Sequence, residues 1–113
     1  EADIEKLVAL MAPAPQLSIR DYSNRGSAPF THLTSAAGLR EHLSRFFSAF
    51  RGASVEILSR VASEWYVFGE LQWTMREKSG ARRLLRVQTA DFHPIDASGR
   101  MVAQVGYGTE LVE

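Results

Sequence analysis

Two alternating runs joined by a short turn constrain this chain more than anything else in it. Val87–Tyr107 reads VQTADFHPIDASGRMVAQVGY. In the first run Val87, Thr89, Asp91, His93 and Ile95 fall on one face of a strand, and Gln88, Ala90, Phe92 and Pro94 on the other. Asp96–Gly99 predicts the turn, with Asp96 opening it and Gly99 taking a positive φ. Met101–Tyr107 returns as the second strand. Asp91 is the anomaly. A carboxylate in mid-strand between Ala90 and Phe92 suits neither a strand nor a core. It either faces water or sits in a cavity with a function.

The 113 residues predict one domain, 1–113, with a single core. The 13 basic and 13 acidic residues cancel, leaving no field to recruit nucleic acid or an anionic membrane. The absence of cysteine removes disulfides, thiolate nucleophiles and zinc–sulfur sites. No apolar run approaches the ~20 residues of a membrane span, no signal peptide is visible, and the cytoplasm is the default location. The chain opens on Glu1 rather than Met, which leaves room for a removed upstream segment.

Along the chain, Asp3 caps a short helix carrying Ile4, Leu7, Val8 and Met11, ended by Pro13 and Pro15. Gln16–Tyr22 alternates and reads as a short strand ending at Asp21, and Ser23–Phe30 is turn-rich. Thr34 or Ser35 caps the strongest helix, whose stripe is Leu39, Leu43, Phe46, Phe47 and Phe50, with Gly52 closing it. Strands follow at Ser54–Ala62, Glu64–Glu77, Arg82–Ile95 and Met101–Val112. Short turns between them predict a four-stranded antiparallel meander. The fold class is therefore α+β, a curved antiparallel sheet wrapped around helices, with a pocket at the open end of the cone. Gly69, Gly106 and Gly108 fit sharp curvature or room for a ligand.

The element order and four strings resemble the nuclear transport factor 2-like superfamily, in its SnoaL-like and ketosteroid isomerase-like branch. The strings are DIEKLVALMAP (Asp3–Pro13), LSIRDY (Leu17–Tyr22), SAAGLREHLSRFF (Ser35–Phe47) and ADFHPIDASGRMV (Ala90–Val102). They are specific for a fold, a cone-shaped, cystatin-like α+β roll, and weak for activity, because that superfamily hosts isomerases, hydrolases, cyclases, dehydratases and non-catalytic modules. Asp91 stands eight residues before Gly99, as does the oxyanion-hole acid of ketosteroid isomerase-like proteins, and Asp21 matches their general base. The family's first helix, which carries the oxyanion-hole tyrosine, is absent from this pattern. Tyr22 and Tyr107 stand elsewhere in it.

The resemblance implies proton abstraction beside a carbonyl, with Asp21 as base and Asp91 as a protonated donor, as in ketosteroid isomerase, where a carboxylic acid is kept neutral by an apolar site. The plainer alternatives stay open. Asp91 is otherwise a solvent-facing carboxylate or one paired with Arg86 or Arg100, and Asp21 a turn residue at a strand end. His93, on the face of Asp91, is either an auxiliary acid–base group or a partly buried strand histidine. Leu71, Trp73 and Met75, with Phe47 and Gln104, are candidates to line an apolar pocket, and equally plain core. No metal site is expected, because two ligands are too few and His32 and His42 lack the spacing. No cofactor is expected either. Arg82, Arg83 and Arg86 read as a solvated hairpin. Val105, Tyr107, Leu84, Ala90 and Phe92 suggest an outer sheet face covered by a second copy of the chain, and the expected ligand is a small hydrophobic molecule. A non-catalytic ligand-binding or dimerisation/assembly domain is the alternative to an enzyme.

Overall fold

The computed structural model describes residues 3–20, 22 and 30–110. Helix α1 (Ile4–Ala9) starts where Asp3 accepts a hydrogen bond from the Lys6 N–H at 3.2 Å. Strand β1 (Met11–Arg20) follows at once and runs through both prolines, rather than starting after them. Its pairing with β6 (Met101–Glu110) shifts register between Met11 and Gln16, around the residues that lack an N–H to donate. Strand β2 (Phe30–Leu33), which the sequence pattern did not suggest, pairs antiparallel with β1.

Helix α2 (Ala36–Ala49) is capped by Ser35, whose Oγ accepts from the Gly38 N–H at 3.0 Å. Gly52 does not close this helix. The chain turns extended at Phe50 and enters β3 (Phe50–Ala62) directly. Gly52 instead has φ +61° in an irregular stretch of β3, where the ladder to β4 (Tyr66–Glu77) skips between Arg51 and Ser54. Strand β5 (Leu84–Pro94) completes the antiparallel meander with β6. Gly99 takes φ +82° in the β5–β6 turn, and Asp96 Oδ1 accepts from the Ser98 and Arg100 N–H groups at 2.9 and 3.0 Å.

The sheet order is β2-β1-β6-β5-β4-β3. All pairs are antiparallel except β1 with β6, so the sheet is mixed, not the antiparallel one expected. Nor does it form the cone-shaped, cystatin-like roll. The pairing ends at β2 on one side and β3 on the other, and these two edges do not meet. Beyond Phe50 every residue of β3 is exposed. The physical reason is size. A 14-residue helix is about 21 Å long and covers only part of six strands spaced about 4.8 Å apart.

The helices lie on one face and build two apolar clusters. Near α1, Val8, Leu17 and Leu39 are buried with Ile4, Met11, Ile19, Leu33 and Leu43 around them. At the far end of α2, Phe50, Met75, Leu85 and Val87 are buried beneath Phe46, Ala49, Trp73 and Tyr22. No helix among the described residues is long and apolar enough to cross a membrane.

Leu17 is fully buried and joins β1 to both helices. Leu17→Ala is expected to destabilise the fold by about 3 kcal/mol in urea unfolding, the usual cost of emptying a closed core position. A loss below about 1 kcal/mol would mean that the helices are not seated on β1.

Candidate functional site

The helix-covered face of β5 changes character along its length. Leu85 and Val87 are buried core, and the next three inward positions are Thr89, Asp91 and His93, all half-buried. Alternation alone forces this. Once Leu85 and Val87 point at α2, every second residue after them does too. Asp91 therefore faces the helix side. It is not paired with Arg86, which has the opposite parity, nor with Arg100, whose charge acts on Asp96 in the turn.

The neighbouring strands leave space here. Gly69 of β4 and Gly106 of β6 sit directly opposite Asp91, and Gly108 sits opposite Thr89. A Cβ on Gly106 would fall on the Asp91 Oδ1 atom and lie 3.0 Å from the Ala90 carbonyl oxygen. A Cβ on Gly108 would lie 2.6 Å from the Tyr22 hydroxyl. The glycines thus hold a shallow polar strip between the sheet backbone and Tyr22. Sequence reasoning set Tyr22 aside, because it stands elsewhere in the pattern of the resembled family. The small residue facing it was the available signal.

Within the strip, Thr89 Oγ1 donates to Asp91 Oδ2 at 3.0 Å, and Gln104 also hydrogen-bonds the carboxylate. Burial pushes Asp91 above the ordinary carboxylate range. The Thr89 and Gln104 hydrogen bonds and nearby His93 oppose that rise without cancelling it. Burial likewise pushes His93 below the ordinary imidazole range, against the pull of Asp91. His93 Nδ1 is enclosed and meets no hydrogen-bonding partner among the described residues.

Asp91, His93 and Gln104 are thus brought together. Leu71 borders them, opposite Thr89. Trp73 lies one inward position further, opposite Val87, with its ring 6.4 Å from Phe46. Met75 is buried in the core beneath α2, and Phe47 stacks edge-on to Phe46 at 5.1 Å, so both belong to the packing around α2. Asp21 lies outside the described residues. Among the described residues no three His, Cys, Asp or Glu side chains group to hold a metal ion. A separate surface depression of about 260 Å³, lined by Arg51, Gly52, Thr74, Met75, Arg76 and Leu84, sits towards the opposite end of β4.

These features define an α+β protein whose open mixed sheet carries a small polar strip on its helix-side face. Solved structures share this fold. A hypothetical protein with a ketosteroid isomerase-like fold from Catenulispora acidiphila, in complex with trimethylamine, superposes with a TM-score of 0.75 at 15% identity, covering 95% of this chain and 75% of that one. An NTF2-like protein from Burkholderia thailandensis gives 0.76 at 15% identity, covering 95% and 78%. The epoxide hydrolase/cyclase-like enzyme SalBIII, of pyran ring formation in the polyether salinomycin, gives 0.68 at 14% identity, covering 95% and 78%. No protein-family model and no curated protein matches the sequence. The chain shares the fold of these ketosteroid isomerase-like and NTF2-like structures. At these identities the likeness is one of fold.

Two outcomes test the strip. Gly106→Ala is expected to cost about 1–3 kcal/mol, because the new methyl group displaces the Asp91 carboxylate. In Asp91→Ala the same substitution should cost much less, and equal costs in both backgrounds would refute the contact. The second test uses pH. Because the folded-state pKa of Asp91 is raised, ionising it costs more in the folded chain than in the unfolded one. That penalty is absent well below the unfolded value of about 3.9 and grows as pH rises through the folded value. Asp91→Asn should therefore raise the Tm at about pH 7 and gain nothing near pH 2. A gain of the same size at both pH values would mean that the carboxylate is not desolvated.

Proposed function

We propose that the Thr89–Asp91–His93 strip is a small-molecule site, and that it performs cofactor-free acid–base chemistry on an uncharged apolar molecule bearing a carbonyl or hydroxyl group. One observation carries this reading. Asp91 is a half-buried carboxylate held by Thr89 and Gln104, with no Lys or Arg paired to it among the described residues and with a glycine beneath its Oδ1. Burial favours the protonated form of this carboxyl, and in that form it donates a hydrogen bond to an oxygen that gains charge. In this reading Asp21 is the base, as the family resemblance suggests, His93 assists, and Leu71 and Trp73 face the apolar body of the ligand. The resemblance of the fold to SalBIII, an epoxide hydrolase/cyclase-like enzyme, supports an enzyme. The second reading is a binding domain without turnover. It is favoured by the lack of a second carboxylate acting on Asp91 among the described residues.

Hydrogen–deuterium exchange at the α-carbons of 2-tetralone, followed by NMR in D2O, separates the two. The protein is expected to accelerate exchange over buffer, and Asp91→Ala to remove at least about a hundredfold of that acceleration. Binding of the ketone without acceleration would leave the binding domain, and absence of binding would overturn both readings.

We infer further that the outer sheet face joins two copies of the chain. Tyr107 is 73% exposed and Trp65 57%, and Val105 and Phe30 are also exposed. Phe92, paired with Val105, contacts Trp65 and Tyr66 at 5.7 and 5.3 Å, while Phe30 meets Tyr107 at 5.9 Å. An aromatic surface of this kind on an antiparallel meander calls for a cover, and a two-fold axis lets the same patch cover itself. Sedimentation at micromolar concentration should give twice the chain mass, and Tyr107→Glu should give the single mass. A monomer in both would refute the interface.

A further inference from the structure

His93 is the titratable group on this strip whose atoms the reading above leaves unassigned. Its two ring nitrogens stand in different surroundings. Nδ1 is enclosed without a partner among the described residues, whereas Nε2 is not enclosed. A neutral imidazole has one N–H and one lone pair, and the surroundings decide which nitrogen carries the proton. A proton on Nδ1 would bury an N–H donor with nothing to accept it, the kind of orphan that folded proteins rarely keep. An imidazolium would bury the same orphan and a charge with it. A proton on Nε2 avoids both, because that N–H reaches water or a ligand. The downward push of burial on the imidazole acts in the same direction.

We propose that His93 is held as the neutral Nε2–H tautomer and serves as a second hydrogen-bond donor to the ligand oxygen that Asp91 addresses, not as a base. Residues two apart on one face of a strand stand about 7 Å apart, so two side chains can reach one oxygen between them. No proton is transferred to or from His93 in this role. The ligand class follows. It is a molecule whose polar group accepts hydrogen bonds, a ketone or an enolisable carbonyl, and not an ammonium or another donor-only group. The ligand half of this inference rests on the proposed function, and the tautomer half does not.

The tautomer is read directly from long-range ¹H–¹⁵N correlations in protein labelled at histidine. At about pH 7 Nδ1 should show the shift of a bare nitrogen and Nε2 that of a protonated one. An Nδ1–H tautomer or an imidazolium would overturn the proposal. For the ligand half, His93→Gln places an amide NH₂ near the position of Nε2, and His93→Asn places it near Nδ1. Binding of 2-tetralone should stay within about threefold in His93→Gln and weaken about tenfold in His93→Asn and His93→Phe, the loss of one hydrogen bond. Thermal unfolding identifies any variant that fails to fold. Equal affinity in all three folded variants would overturn the donor role while leaving Asp91 its own. Failure of the unmodified protein to bind 2-tetralone would overturn the Asp91 reading and the ligand half together, with the tautomer unaffected. Tighter binding of the 2-aminotetralin ammonium ion than of the ketone would overturn the ligand class.

Discussion

Strand β5 is hydrogen-bonded on both sides, and its register against β4 and β6 decides which of its side chains meet the helices. Leu85 and Val87 close the core under Phe50, and by the two-residue period Thr89, Asp91 and His93 must follow on the same side. A slip of one residue would send Arg86, Gln88 and Ala90 inward and put the core residues in water. The apolar end of the strand therefore pins the polar end. The carboxylate and the imidazole lie on the helix-side face because two aliphatic side chains further along the strand fix its facing.

Helix α2 is the other half of that constraint. Its first half packs on β1 through Leu39, and its end packs on β4 and β5 through Phe46 and Phe50. It thereby joins β1 to β4 and β5 without covering the β3 edge, whose residues past Phe50 are exposed. The pairing of β1 with β6 completes the link, because it seats α1 and the start of α2 beside the strand that carries Gln104, Gly106 and Gly108. Local stability should follow the same division, highest where the clusters lie and lowest along the free edge.

The strip has an energetic character opposite to that of the core. Burial works against the charge of Asp91 and against the charge of His93, so both neighbours are driven towards neutrality from opposite directions. Such a pair contributes little to holding the fold together. Its place on a face otherwise devoted to packing is what the proposed site rests on. The glycines act in the same sense. Gly106 contributes no side chain to the core, yet any side chain there would take the place of the Asp91 carboxylate.

Local pattern determined much of this protein. The alternation of β4 and β5, the turn at Asp96–Gly99, the Ser35 cap and the apolar stripe of α2 were all legible, because each depends on neighbours a few residues away. The polar run of Thr89, Asp91 and His93 was legible as a row, and the glycines near it as space. Three features needed the tertiary structure. Strand β1 runs through Pro13 and Pro15, because at those residues its pairing with β6 shifts, so the missing N–H groups are tolerated. The sheet stays open and mixed, because its closure depends on how far two helices reach across six strands, a quantity no local pattern encodes. Which face of β5 looks at the helices, and with it the partners of Asp91, depended on the burial of Leu85 and Val87 beneath a helix that ends at Ala49, long before the strand begins at Leu84.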